Sequence, residues 1–194
     1  MAHGPIYRVP LRRRREGKTN YYKRRDMLKS GRVRLIIRRT PKHMRVQFVE
    51  AYPNGDKTLS ATISTQLSKF KWNISCGNIP AAYLTGYLAG KKALKAGVTD
   101  AILDLGLQSS TRGSRIYATL KGLIDAGVQV PSDESIFPSE DVIKGSHIKT
   151  ISEHQKKDDA KKFKQVYAKY HAAKVKPEKL ADFVSTTKGE IDKL

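Results

Sequence analysis

The residues best suited to chemistry in this chain are cations. Residues 11–26 read LRRRREGKTNYYKRRD. Arg12, Arg13, Arg14 and Arg15 are consecutive, Lys18 follows, and Lys23, Arg24 and Arg25 form a second cluster, with Tyr21 and Tyr22 between the two. Guanidinium and ammonium groups neutralise phosphates, while Tyr and Arg planes stack on unpaired bases, so this order of residue types suits a nucleic acid with accessible bases. No apolar period of 3.6 or 2 runs through the stretch, which leaves it no face on which to fold against itself. A solvated basic tail or a targeting signal is the competing use of such a run.

Catalytic chemistry has no comparable constellation. A metal-dependent nuclease needs several carboxylates converging on a sheet to hold two divalent ions. The first strand candidate, VRLIIRR, carries arginine and no acid, Asp104 ends a later strand, and Asp125 lies on a helix with no third acid placed beside them. Asp104 reads instead as a carboxylate that anchors a loop. The five histidines are scattered without metal spacing, and Ser109, Ser110 and Ser114 have no nucleophile context. Cys76 is the only cysteine, which excludes an intramolecular disulfide and a Cys-rich zinc site and fits a reducing, cytosolic setting. No catalytic residue, metal, cofactor or small-molecule substrate is expected.

Charge supports the polyanion reading. The formal net charge of the 194 residues is +20, and residues 1–45 carry 16 Lys and Arg against 2 Asp and Glu. A basic excess polarised in this way points to nucleic acid or to an anionic membrane surface. The interleaved tyrosines and a folded core disfavour the membrane. Residues Trp72–Gly90 lack charge and approach a spanning length, but Gly77, Asn78, Pro80, Gly86 and Gly90 interrupt them, so they read as a loop and a new helix. The basic N-terminus has no apolar run behind it and is not a secretory signal.

Three units must position these residues: a basic arm over 1–31, an α/β core over 32–131, and a loop with a helical C-terminal extension over 132–194. Within the arm, Tyr21–Lys29 reads as a short helix ended by Gly31. Val33–Arg39, His43–Tyr52 and Thr58–Ser64 read as an antiparallel meander, with Pro53-Asn54-Gly55-Asp56 as a turn. A helix capped by Asn78 with Pro80 in its first turn ends at Gly97, and Val98–Leu105 follows as a strand. A second helix over about Ser114–Ala126 ends at Gly127, before a last short strand, Val128–Val130. The sum is a mixed five-stranded sheet with packed helices. Gly86 and Gly90, four apart, would allow close approach of another backbone, or could equally be merely permissive positions. Residues 131–150 read as loop. Phe163, Val166, Tyr167 and Tyr170 mark one apolar stripe on a helix of about Glu153–Ala173, and Pro177 opens another helix with Leu180, Phe183 and Val184. This extension reads equally as docked or solvated.

RRRREGKTNYYKRR (12–25), RLIIRRTPKHMRVQF (34–48), YPNGDKTLSA (52–61), GNIPAAYLTGYLAGKKALKAGV (77–98) and LDLGLQSSTRGSRIYATLKGLIDAG (103–127) resemble one family in order and spacing. It is the 5S rRNA-binding family of the large ribosomal subunit, universal large-subunit protein eighteen, in its archaeal length. The resemblance implies a non-catalytic, ribonuclease-H-like α/β core and a basic arm clasping 5S rRNA. It also implies a cytoplasmic, ribosomal location in the central protuberance, beside the large-subunit rRNA and a neighbouring 5S-binding ribosomal protein. Carried onto this chain, Arg12–Arg15, Lys18, Lys23, Arg24 and Arg25 should meet phosphates, and Tyr21 and Tyr22 sugars or bases. Thr111, Arg112, Ser114 and Arg115 would form a phosphate corner at a helix start, where Thr111 or Ser114 reads equally as an ordinary cap. Arg38, Arg39, Lys42 and His43 sit at a strand end and turn, open to RNA or to solvent. Trp72, beside Lys69 and Lys71, is a stacking candidate or partly buried core. The arm is expected to order only on RNA.

Overall fold

The computed structural model describes residues 4–158, 160–173 and 175–194. The arm contains a single helical turn, α1 (Arg12–Arg15), and a two-turn helix, α2 (Tyr21–Leu28). Asn20 caps α2, its side chain accepting from the Tyr22 and Lys23 amides at 3.1 and 3.2 Å. Gly31, at φ 64°, ends the segment as expected.

β1 (Arg34–Arg39), β2 (Met44–Tyr52) and β3 (Gly55–Ile63) form the antiparallel meander. β1 then pairs parallel with Ile102–Asp104. The chain between them folds into α3 (Ile79–Lys95), and that parallel strand is β4. The result is an α/β fold on a mixed four-stranded sheet of order β3-β2-β1-β4. Alternation along β1 and β2 sends Leu35, Ile37, Met44, Val46 and Phe48 into the core, all essentially without solvent exposure. Arg34, Ile36 and Arg38 take the opposite face of β1 by the same alternation.

The sheet has four strands where five are expected. Val98–Leu105 pairs only over Ile102–Asp104, and Val128–Val130 is reduced to one parallel bridge between Asp100 and Gln129. The Ala101 amide donates to the Gln129 carbonyl at 3.0 Å and the Gln129 amide to the Thr99 carbonyl at 2.9 Å. Pro131 follows two residues later and has no N–H to extend the ladder.

α3 and α4 (Arg115–Asp125) pack on the inner face of the sheet and on each other. Asn78 caps α3 by accepting from the Ala81 amide at 2.9 Å. The helices touch backbone to backbone: a Cβ on Gly86 would lie 1.9 Å from the Thr119 carbonyl oxygen, and one on Gly122 would lie 2.2 Å from that of Tyr83. The spacing of Gly86 and Gly90 therefore serves close approach.

Residues 131–150 are not simply loop. α5 (Glu140–Lys144) begins after Ser139 and stops at Gly145 in the left-handed region, and α6 (Ser146–Asp158) follows at once. Burial of Ile143 gives this short helix its anchor. The single helix expected over Glu153–Ala173 is interrupted at Tyr167, which leaves helical geometry at φ −97°, ψ 20° between α7 (Ala160–Val166) and α8 (Ala168–Ala172); its first residues belong to α6. Tyr167 and Tyr170 from its stripe are buried, whereas Val166 is 64% exposed. After Pro177, α9 (Leu180–Asp192) docks on α3, with Leu180, Val184 and Ile191 joining the same buried cluster as the sheet.

Candidate nucleic-acid interface

α1 buries nothing, and its four arginines all face solvent. Gly17, at φ 62°, turns the chain after it, and Arg13 Nε donates to Thr19 Oγ1 at 2.8 Å. Glu16 lies 2.8 Å from the Lys18 ammonium and 3.9 Å from Arg12. The turn brings Arg14 over the exposed Tyr22 ring at 5.3 Å, with Arg25 at 5.9 Å from the same centroid. Arg14, Tyr22 and Arg25 thus form a composite of planar groups, the surface type on which an unpaired base stacks. Lys23 is exposed, and Arg25 also lies 3.5 Å from Asp26. Tyr21 is half-buried and lines the cleft between α2 and the sheet.

Arg24 points inward. Its guanidinium donates two parallel hydrogen bonds to the Asp56 carboxylate, at 2.9 and 2.7 Å. Asp56 Oδ2 is also 2.7 Å from Nη2 of Arg34, an ion pair without an aligned N–H. The Arg34 side chain is only 1% exposed and reaches Asp104 Oδ2 at 3.3 Å. Arg38 then donates to Asp104 Oδ1 at 3.1 Å and to the Asp104 carbonyl at 2.6 Å. Five alternating charges, Arg24–Asp56–Arg34–Asp104–Arg38, therefore run from the arm across the outer face of the sheet. Hydrogen bonding from Arg24 holds the Asp56 carboxyl below the usual carboxylate range, and the same bond raises Arg24. Asp104 also accepts the Gly106 amide at 2.8 Å, the loop-anchoring role expected of it.

The sequence singled out neither Arg34 nor Asp56 for this ladder. A signal for Arg34 existed: an arginine sharing the strand parity of Arg38 inside an apolar run needs a carboxylate if it is buried. Asp56 was legible only as a turn residue.

The turn after β1 is held from several sides. Gln108 accepts from the Arg39 amide at 3.3 Å and donates to the Arg39 carbonyl at 3.1 Å, while Arg39 Nη2 is 3.5 Å from Ser109 Oγ. The His43 ring lies 3.3 Å from Ser64 Oγ, and the Lys42 side chain is exposed. At the start of α4, Thr111 and Arg112 are exposed. Ser114 occupies the cap position without a side-chain cap bond, and its buried Oγ has no partner among the described residues. Arg115 turns to the protein: its Nη1 donates to the carbonyls of Thr40, Pro41 and Gly77 at 3.2, 3.2 and 2.9 Å. Trp72 is 1% exposed and stacks on Phe183, so it belongs to the core and not to a base-stacking surface.

No cluster of three or more His, Cys, Asp or Glu side chains suited to a metal ion occurs among the described residues. Asp56 and Asp104, the carboxylates on the outer sheet face, are neutralised by arginines. No helix of the described residues is long and apolar enough to cross a membrane.

An α/β scaffold with an arginine-rich arm and its sheet-face acids paired to arginine is an arrangement suited to a structural protein that meets a polyanion. The family described as "Ribosomal large subunit proteins 60S L5, and 50S L18" matches residues 6–102 and 95–133, and the chain belongs to it. It is 44% identical over 193 residues to large ribosomal subunit protein uL18 of Aeropyrum pernix, covering 99% of this chain and 90% of the relative. It is 42% identical over 192 residues to large ribosomal subunit protein uL18 of Thermofilum pendens, covering 99% and 98%. Both relatives are archaeal, in keeping with the length of the chain. Its place is among ribosomal structural proteins and not among enzymes.

Proposed function

We propose that this chain is a structural constituent of the large subunit of the cytoplasmic ribosome, binding 5S rRNA and helping attach it to the large-subunit rRNA in the central protuberance. The observation that carries the reading is the arm. Arg12–Arg15 are exposed beside the Arg14–Tyr22–Arg25 composite, and Arg13, Arg14, Arg15 and Lys23 have no carboxylate partner among the described residues. Cations so placed neutralise phosphates, and the composite stacks bases. Lys18, Arg39, Lys42, His43, Thr111 and Arg112 are further RNA contacts in this proposal, whereas Arg24, Arg38 and Arg115 shape the surface through protein contacts. Ser114 caps α4. A neighbouring 5S-binding ribosomal protein is the expected protein partner.

We also read the scaffold as ribonuclease-H-like. The meander, the parallel β4 beside β1 and the Asp100–Gln129 bridge, taken as a rudimentary fifth strand, support this. The division into an arm over 1–31, a core over 32–131 and an extension over 132–194 stands as a reading in terms of function.

The test is the RNA that co-purifies with the chain. A 5S-sized species is expected; recovery of large rRNA fragments alone, or of no RNA, would overturn the 5S assignment.

A further inference from the structure

A carboxylate on a surface that meets a polyanion opposes binding unless it performs another task. Asp56 is such a group. It lies at the start of β3, in a cleft of about 980 Å³ between α2 and the outer face of the sheet. Six cations line that cleft against three carboxylates, so it is electropositive despite Asp56. From the arm come Arg13, Lys18, Lys23 and Arg24; from β1 come Arg34 and Arg38. The two groups are held at a fixed separation by Asp56, which grips Arg24 on one side and Arg34 on the other. Arg34 is in turn fixed by Asp104, so the post on which the arm stands is itself anchored in the sheet.

We propose that Asp56 is a positioning residue for RNA binding. Its carboxylate latches α2 over the sheet, so that arm and sheet present a preformed cationic cleft to one strand of the ribosomal RNA backbone. This deepens the RNA-binding reading and rests on it.

The latch holds α2 in place before RNA is met, in contrast to the expectation that the whole arm orders only on RNA. The helix buries no residue, and apolar burial therefore contributes little to its attachment. A bidentate Arg–carboxylate pair is the strongest of the ordinary charged hydrogen bonds and fixes orientation as well as distance. The Arg24 and Asp56 side chains are 32% and 28% exposed, which leaves the pair less screened than the open pairs of α1. A latched arm loses less conformational freedom on meeting RNA than a free one, and that difference appears as affinity.

The experiment measures 5S rRNA binding by full-length variants together with amide exchange in α2. Asp56→Asn removes a negative charge from a polyanion-binding face, yet it should weaken binding about tenfold, because the arm comes loose. Asp26→Asn is the contrast: it removes another carboxylate that lines the cleft, one paired to Arg25 and Lys29, without touching the latch. It should tighten binding, the opposite sign to Asp56→Asn. Arg24→Gln and Arg25→Gln each remove one cation. The latch requires Arg24→Gln to cost several-fold more and to abolish α2 amide protection, which Arg25→Gln should keep. Since the hydrogen bonds of Arg24 go to Asp56 and not to Arg34's partners in the sheet, this pair remains decisive even if Asp56→Asn loosens Arg34. Equal losses in the two arginine variants, or an Asp56→Asn protein that binds as tightly as wild type, overturn the inference while leaving the RNA-binding reading intact. A wild-type chain that does not bind 5S rRNA overturns both.

Discussion

Phe183 of α9 stacks on Trp72, with ring centroids 5.3 Å apart and planes inclined by 25°. The contact closes the C-terminal extension over the segment that leads into α3, and the Trp72 indole N–H donates to the Ser75 carbonyl at 3.3 Å beneath it. Trp72 is the only tryptophan, so its emission reports this docking directly. Phe183→Ala should destabilise the fold by about 2 kcal/mol, the half-buried end of the range for such truncations. That corresponds to a fall of roughly 4–8 °C in melting temperature for a domain of this size. Trp72 emission should move to longer wavelength. An unchanged melting curve would show that α9 docks without contributing stability.

Two glycines in helices should respond oppositely to alanine. Gly86→Ala places a methyl group against the Thr119 carbonyl, where only backbone can yield. Separation of α3 from α4 should cost about 3 kcal/mol or more. Gly189, within α9, has open space around its would-be Cβ. Gly189→Ala should stabilise by about 0.5–1 kcal/mol through helix propensity alone. Chemical denaturation of both variants decides it, and equal responses would contradict the packing described for α3 and α4.

Arg112 and Arg115 flank Gly113 but should separate in their effects. Arg115→Ala strands the carbonyls of Thr40, Pro41 and Gly77 and should lower stability by about 2 kcal/mol. Arg112→Ala, at an exposed site, should leave melting unchanged and weaken RNA binding by the loss of one phosphate contact. Calorimetry paired with filter binding distinguishes them; a stable Arg115→Ala protein would remove the structural role.

Salt should weaken RNA binding steeply. Each phosphate neutralised contributes about 0.7–0.9 to the slope of log K against log salt. If about six arm cations engage, affinity should fall by roughly two to three decades between 50 and 200 mM salt. A near-flat titration would refute an electrostatic arm.

The Arg24–Asp56 latch should be acid-labile in the free protein. Asp56 is held below its ordinary value of 3.8, chiefly by the Arg24 hydrogen bond. A carboxyl whose pKa is lower in the folded state contributes stability above its unfolded pKa and loses it as pH falls through the folded value. The groups facing it are Arg24 from α2 and Arg34 from β1, with Asp104 beyond Arg34. Protection factors of α2 amides should hold at pH 5 and collapse on acidification below the ordinary Asp range, before the core melts. Protection that persists to the acid unfolding of the core would place the attachment elsewhere.

Much of the core was legible because its signals are local. Asn78 with Pro80 announces the start of α3, and the glycines after α3 and α4 announce their ends, so both helices fall within a residue or two of expectation. Met44, Val46 and Phe48 give β2 away by alternation. The fifth strand was overread because three residues before a proline offer only one ladder position. α5 was missed because five residues cannot display a helical period, although Ser139, Glu140 and Gly145 bracket it. The site was less legible than the fold. Arg24 and Arg25 are neighbours with the same chemistry, and only Asp56, 32 residues further on, tells which faces inward. Arg115 resembles any arginine at a helix start until the chain brings Pro41 and Gly77 to it.

The carboxylates of α9 have a consequence for how the molecule moves in an electric field. Glu190 sits 2.9 Å from Lys71 and 3.1 Å from Lys193, and Asp192 sits 2.9 Å from Lys91, so these two acids offset lysines before α3, on α3 and just after α9. Among the described residues nothing equivalent offsets Arg13, Arg14 and Arg15. The centres of positive and negative charge are therefore displaced from one another, and the protein carries a dipole moment directed toward its arm. Near a polyanion, within a screening length of about 8–10 Å, that moment exerts a torque. The arm swings to the front and α9 trails, so encounters begin in the productive orientation instead of searching for it by rotation.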